Sequence, residues 1–189
     1  MTASYTVCSI DPGQHGCGYA LWTVCVEQLS GNSRPLTSVV LLEANYAPGL
    51  VFTQERGQPV VKKPEKWFDD VSVAELALEI PQVYIKRSQG NQNDLVFLAY
   101  AAGVADGMLG AAKTILYHPH DWKGNVDKDL GRDRYSKALT PAERDKLCFV
   151  RGTRCKEARI HGLTAELEHN VWDAIGLGLH HLGRRRRGA

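Results

Sequence analysis

An α/β fold, with a mixed five-stranded sheet flanked by helices, is what this chain of 189 residues predicts. Three observations carry the prediction. Five short stretches are rich in β-branched and aromatic residues, two longer stretches carry apolar residues at helical spacing, and their order is three strands, a strand, a helix, a strand and a helix. With 43% hydrophobic residues the chain can bury one sizeable core. We therefore expect a single domain over residues 1–183, with inserted loops at about 47–66 and 121–160 and a basic tail at 184–189.

Residues 4–10 (SYTVCSI) and 17–26 (CGYALWTVCV) read as paired strands, because the intervening DPGQHG is a turn signal. Residues 35–46 (PLTSVVLLEANY) read as a third strand, completing an antiparallel meander. From Ala47 to Lys66, Pro, Gly, Gln and Lys predict a surface loop or flap in which only PVV suggests a strand fragment. Residues 73–80 (VAELALEI) form a short strand stopped by Pro81.

Asn93 can cap a helix running to about Gly110. One apolar stripe on it is Phe97, Ala101, Val104 and Met108, and a second is Leu98, Ala102, Ala105 and Leu109. Ala99, Gly103 and Gly107, four apart, leave a groove for another backbone, with packing on the sheet favoured over dimerisation. KTILY (113–117) is a short strand, and the polar run from Asp121 to Lys137 has loop chemistry. Thr140-Pro-Ala-Glu143 matches a capping box that opens a short helix. The last helix starts near Thr164 and ends at Gly183, with Leu167, Val171, Ile175 and Leu179 as its core stripe. Gly176 and Gly178 are costly inside a helix, by about 1 kcal/mol each, and mark close packing against another element.

The four arginines at 184–187 supply the sign of the net charge of +2; without them 19 basic residues would face 21 acidic ones. Attraction to a polyanion must then come from local patches, and 144–159 (RDKLCFVRGTRCKEAR) is one, reading equally as a solvated face. The arginine tail reads as a solvating end or a nucleic-acid contact. Five cysteines without a C-x-x-C pair suggest neither a disulfide framework nor a zinc knuckle, so they read as reduced, packed thiols. There is no apolar run of about 18 residues and no signal-peptide pattern, so a cytoplasmic protein away from the membrane is expected.

Three acids stand out. Asp11 sits where the first strand meets a Gly-rich turn, although an Asp before Pro-Gly also serves as a plain turn former. Glu79 lies between Leu78 and Ile80; it either faces Asp11 across adjacent strands or points outward from an edge. Glu166, His169, Asn170 and Asp173, at helical spacing, share a face beside the apolar stripe of the last helix; that face is able to bind metal, or else is solvated. Phosphodiester hydrolysis uses hard oxygen ligands around two divalent ions about 4 Å apart, and carboxylates from two strands and one helix can supply them.

Around these acids the sequence resembles the Holliday-junction resolvases of the RuvC family, within the RNase H-like superfamily. SIDPGQHGCGYALW is similar to the family's first strand and turn, LEIPQVY to its second acidic strand, and HNVWDAIGLGLHH to its terminal helix. GNQNDLVFLAYAAGVADGMLG resembles the central helix, and YHPHDWKGNVDK the segment that carries a lysine. The resemblance implies an RNase H-like fold and a metal-dependent endonuclease that resolves four-way junctions by paired nicks. It also implies Mg²⁺ or Mn²⁺, two per site, a homodimer built through the central helix, and a phage setting.

In that scheme Asp11, Glu79 and Asp173 are the metal ligands. The family places Asp or His three residues before the last Asp, where this chain has Asn170, so Asn170, His169 or Glu166 would complete the site. Lys123 would lie near the scissile phosphate, or be an ordinary surface lysine. Tyr84, Lys86 and Arg87 would contact DNA beside the active centre, with Arg151 and Arg154 as further contacts from the basic stretch. Other readings stay open: a nuclease for flaps or RNA–DNA hybrids, a DNA-binding protein that does not cut, or, from D-P-G-x-x-x-x-G, an actin-like phosphate loop, whose second lobe does not fit in this length.

Overall fold

The computed structural model describes residues 2–13, 16–27, 36–48, 51–55, 58–62, 71–82, 92–124, 128–147, 160 and 163–184. Strands β1 (Thr2–Pro12), β2 (Gly16–Glu27) and β3 (Leu36–Pro48) form the expected antiparallel meander. β6 (Glu75–Glu79) then pairs in parallel with β1, and β7 (Lys113–Tyr117) in parallel with β6, giving the order β3-β2-β1-β6-β7. Parallel neighbours need a crossover, and α1 (Gln92–Leu109) supplies it. With α5 (Ala165–His181) also packed on the sheet, this is the mixed five-stranded sheet flanked by helices that the sequence predicts.

Alternation along β1 assigns its two faces. Cys8 and Ile10 join Leu76, Leu78, Ala102 and Ala105 in one core, beneath α1. Val7 joins Trp22, Val24, Leu41, Val171, Ile175 and Leu179 in the other, beneath α5. Ser9 and Asp11 continue the α5 side, where Trp22 Nε1 donates to Ser9 Oγ at 3.0 Å. The helix comes unusually close to β2. Gly18 is paired with Asp11, and a Cβ there would lie 2.1 Å from the backbone carbon and oxygen of Asn170, so only glycine admits this approach. Gly178 behaves alike against Trp22 and Ser9, and Gly176 against Tyr135 and Trp122, as their cost inside a helix suggested.

Several expectations need correction. The 47–66 stretch is not a plain loop, because β3 runs on to Pro48 and β4 (Val51–Glu55) pairs with β5 (Gln58–Lys62) as a separate two-stranded hairpin. Both strands of a lone hairpin are edges, where Pro59 is tolerated. The polar run after Asp121 is largely helical, with α2 (Pro119–Trp122) and α3 (Lys128–Ala138). α3 is stabilised by packing rather than composition: Tyr135 and Ala138 lie on the α5 core, and Lys137 pairs with Asp133 one turn earlier at 2.6 Å. α1 begins at Gln92, so Asn93 is inside the helix rather than its cap, while Gly110 ends it with φ +56°.

The small-residue groove of α1 does not pack on the sheet. Ala99, Gly103 and Gly107 are exposed, a Cβ on either glycine meets nothing within 4 Å, and Ala101, Ala102, Val104 and Ala105 are buried instead. The arginine tail is not wholly a free end either. Arg184 donates to both carboxylate oxygens of Glu143 and to Ala138 O.

The predicted capping box is present in α4 (Pro141–Lys146): Thr140 Oγ1 accepts from Glu143 N, and Glu143 Oε2 accepts from Thr140 N. Glu143 does more than cap. A bulge places Leu21 opposite Glu43 and Trp22 opposite Leu41, and Glu143 Oε1 accepts from Leu41 N at 2.7 Å. Cys8 and Cys17 are buried free thiols, and burial pushes Cys17 up to about 12; Cys148 and Cys155 lie outside the described residues.

Candidate active site at the carboxyl ends of β1 and β6

Parallel pairing of Ile10 with Leu78 places the next residues, Asp11 and Glu79, side by side where both strands end, on the side covered by α5. Asp173 arrives from that helix. The three carboxyls are buried, at 7%, 9% and 6% exposure. Lys123, just past α2, puts its ammonium among them: Nζ lies 2.8 Å from Asp173 Oδ2 and 3.3 Å from Glu79 Oε2.

The electrostatics follow from that crowding. Burial first, then repulsion from Glu79 and Asp173 and a carboxyl–carboxyl hydrogen bond with Glu79, hold the Asp11 pKa well above its ordinary value, against the opposing pull of Lys123. Burial also raises Glu79, with Lys123 opposing and Asp173 adding to the rise. For Lys123 burial alone would lower the pKa, but Asp173, Glu79 and Asp11 together push it up, so the ammonium keeps its proton.

The remaining residues of the predicted helix face divide. His169 Nε2 is 3.4 Å from Asp173 Oδ2, at the edge of the site. The Asn170 amide lies over the turn after Asp11, where a Cβ on Gly13 would come within 2.4 Å of its nitrogen. Glu166 is on the helix, but its side chain lies outside the description. Tyr84, Lys86, Arg87, Arg151 and Arg154 also fall outside the described residues.

Two aromatic residues were missed in the sequence. The Trp122 indole N–H donates to Glu79 Oε2 at 2.8 Å, fixing that carboxylate, while the Lys123 ammonium lies 5.0 Å from the indole centroid. Tyr135, from α3, stands beside Trp122 with ring centroids 6.1 Å apart. Burial, then the Asp173 charge, push its phenol up to about 12. A signal for Trp122 existed: Pro119 followed by Asp121 is a helix start, and Asp121 Oδ2 accepts from His118 N.

Three desolvated oxygen donors with a surplus of negative charge are, in chemistry, a site for a hard divalent cation. Lys123 lies between two of them, pairing with Glu79 and Asp173, and among the described residues no three His, Cys, Asp or Glu side chains are gathered closely enough to hold a metal as they stand.

No protein-family model and no curated protein sequence matches the chain. Among solved structures it is similar to Thermus thermophilus RuvC, at 17% identity over 94% of this chain and 93% of that one, TM-score 0.44. It is likewise similar to T. thermophilus RuvC in complex with Holliday junction substrate, at 15% identity over 94% and 92%, TM-score 0.44. The fowlpox virus Holliday junction resolvase follows at 14% identity over 94% and 97%, TM-score 0.43.

Proposed function

We propose that the chain is a metal-dependent endonuclease of branched DNA that resolves four-way junctions by paired nicks, working as a homodimer. The observation that carries this reading is the convergence of Asp11, Glu79 and Asp173, from two adjacent strands and one helix, around a single ammonium. Mg²⁺ or Mn²⁺, two per site, held by these carboxylates would neutralise their charge and the phosphate's and acidify the attacking water. Asp11 and Glu79, side by side, anchor the site from the sheet, with Trp122 keeping Glu79 in its rotamer. Lys123, paired with Glu79 and Asp173, would be available to a phosphate oxygen once bound metal compensated their charge. His169, beside Asp173, can hold or release a proton at Nε2. In-line attack by water leaves 5′-phosphate and 3′-hydroxyl ends.

The dimer reading is supported by α1. Its exposed groove of Ala99, Gly103 and Gly107 adjoins Val96, Phe97 and Tyr100, which are 66%, 37% and 43% exposed. The test is cleavage of synthetic four-way junctions, flaps and RNA–DNA hybrids side by side with Mg²⁺ or Mn²⁺. Junctions should be cut best, and Asp11→Asn and Asp173→Asn should bind junctions without cutting them. A wild-type protein that cuts no branched DNA with either metal sinks the proposal. Preferential cutting of flaps or hybrids would keep the nuclease and replace its substrate.

A further inference from the structure

A cavity of about 490 Å³ opens between α3 and α5, directly behind the wall of the candidate active site. Its volume lies within the range of small-molecule sites, about 300–1,000 Å³. Two aromatic side chains line it: Trp122, whose indole N–H is committed to Glu79, and Tyr135, whose ring is tilted 36° to the indole. Both reach this position because Gly176 has no side chain; a Cβ there would stand 2.5 Å from Tyr135 and 2.7 Å from Trp122. Leu179 adds an apolar surface.

The charged side chains among the lining residues are arginines. Arg134 is exposed, as is the His180 imidazole, Arg184 is fixed by Glu143, and no carboxylate is found among the described lining residues. This composition contrasts with the neighbouring acid site. Flat π-faces beside cationic groups suit a planar, electron-rich ligand that carries a phosphate. A nucleotide has that chemistry, and the shared Trp122 would place it one side chain from the acids.

We propose that this cavity receives a nucleobase turned out of the DNA next to the cut phosphate, stacked on Trp122 and Tyr135, with its own phosphate against Arg134 and His180. The assignment rests on the nuclease reading for the source of the base, and deepens it by making the cavity a determinant of where cutting occurs. A base leaves a branch point more readily than a continuous duplex, because part of its stacking is already lost there.

The test uses the full chain and two kinds of probe. Deoxynucleoside 5′-monophosphates and inorganic phosphate are titrated by calorimetry, and junctions with a randomised arm are cut and sequenced. A nucleotide should bind about tenfold or more tightly than inorganic phosphate, the gain expected from stacking one base. Ala138→Trp, which fills the cavity from α3, should abolish the difference and flatten the preference for cut position. Arg134→Gln, at an exposed position, should weaken nucleotide binding several-fold and keeps the test open if the tryptophan variant fails to melt like wild type. Inorganic phosphate binding as tightly as any nucleotide would overturn the proposal by reducing the cavity to an anion site. So would well-folded variants that bind nucleotides and choose cut positions as wild type does; the nuclease would then stand and the cavity assignment fall. Nucleotide binding lost in the variants of a protein that cuts no branched DNA would remove the nuclease reading and with it the DNA source of the base, leaving a site for free nucleotide.

Discussion

Replacing Asp11 by Asn interrogates the acid trio without any substrate. Three buried carboxyls face one ammonium, so with all groups ionised the cluster carries surplus negative charge in a desolvated place. Burial, then Glu79 and Asp173, raise the Asp11 pKa above its ordinary 3.8. An acid that binds its proton more tightly when folded makes the protein most stable at low pH. Stability is lost as pH rises from about 3.8 through the raised folded value and stays low above it. Asn has nothing to ionise.

The variant should therefore exceed wild type at neutral pH by about 1–2 kcal/mol, in line with relief of active-site strain. For a chain of this size that is about 2–8 °C in Tm. The advantage should shrink towards about pH 4, where wild-type Asp11 is protonated. A divalent ion should act in the opposite sense, stabilising wild type by about 1.4 kcal/mol at ten times its Kd and the variant much less. Melts followed by circular dichroism across this pH range, with and without Mg²⁺, measure both effects. An Asp11→Asn protein no more stable than wild type at neutral pH, with a pH-independent difference, would refute the reasoning, because the cluster would then hold no repulsion to relieve.

Removing the counter-charge should do the reverse: Lys123→Met is expected to cost about 3 kcal/mol in metal-free denaturant melts, by leaving Glu79 and Asp173 uncompensated, and to be rescued by Mg²⁺ more strongly than wild type is stabilised. For Glu143, burial raises the pKa, but hydrogen bonds from Arg184, Leu41 and Thr140 outweigh it and hold the carboxyl at about 2. Its contribution is complete above the ordinary 4.5 and is lost as pH falls towards 2, so Glu143→Gln should be about 3 kcal/mol less stable at neutral pH in urea melts, with the deficit closing in acid. Gly103→Ala and Gly107→Ala meet open space on α1, so in a monomer each should add up to about 1 kcal/mol; the proposed dimer predicts weaker self-association instead, read by sedimentation against concentration.

What the sequence disclosed and what it hid divide along contact distance. Asp11 was legible because a strand ending in Pro-Gly exposes its last residue, and Glu79 because the same parity of alternation carried it to the same side of a neighbouring strand. The α5 stripe was legible because 3.6-residue periodicity is local information. α3 was not: its residues are polar nearly all round, and what holds it is the placing of Tyr135 and Ala138 on a helix some forty residues later. Glu143 and Arg184 were each readable only as a cap and a tail. Their bond joins positions 41 residues apart, which no local pattern announces. Trp122 was hidden for the same reason, since an indole N–H shows no partner until the fold brings Glu79 to it.

The same long-range contacts bear on the residue that accompanies the trio. Substituting one α5 side chain for another by rotating the helix requires the helix to be free to turn, and it is held along its length. The Asn170 backbone sits on Gly18, Gly178 sits on Trp22 and Ser9, and His181 is tied to Tyr117 at 3.0 Å and to Glu75 at 3.2 Å. Turning α5 would drag the Asn170 carbonyl across β2, where even one added methyl has no room. The arrangement therefore favours side chains that already face the acids. His169 already lies within 3.4 Å of Asp173, whereas the Asn170 amide lies over Gly13 in the turn that follows Asp11. On this argument Asn170 packs against the turn after the first acid, and His169 is the residue of the helix face that lies beside the last.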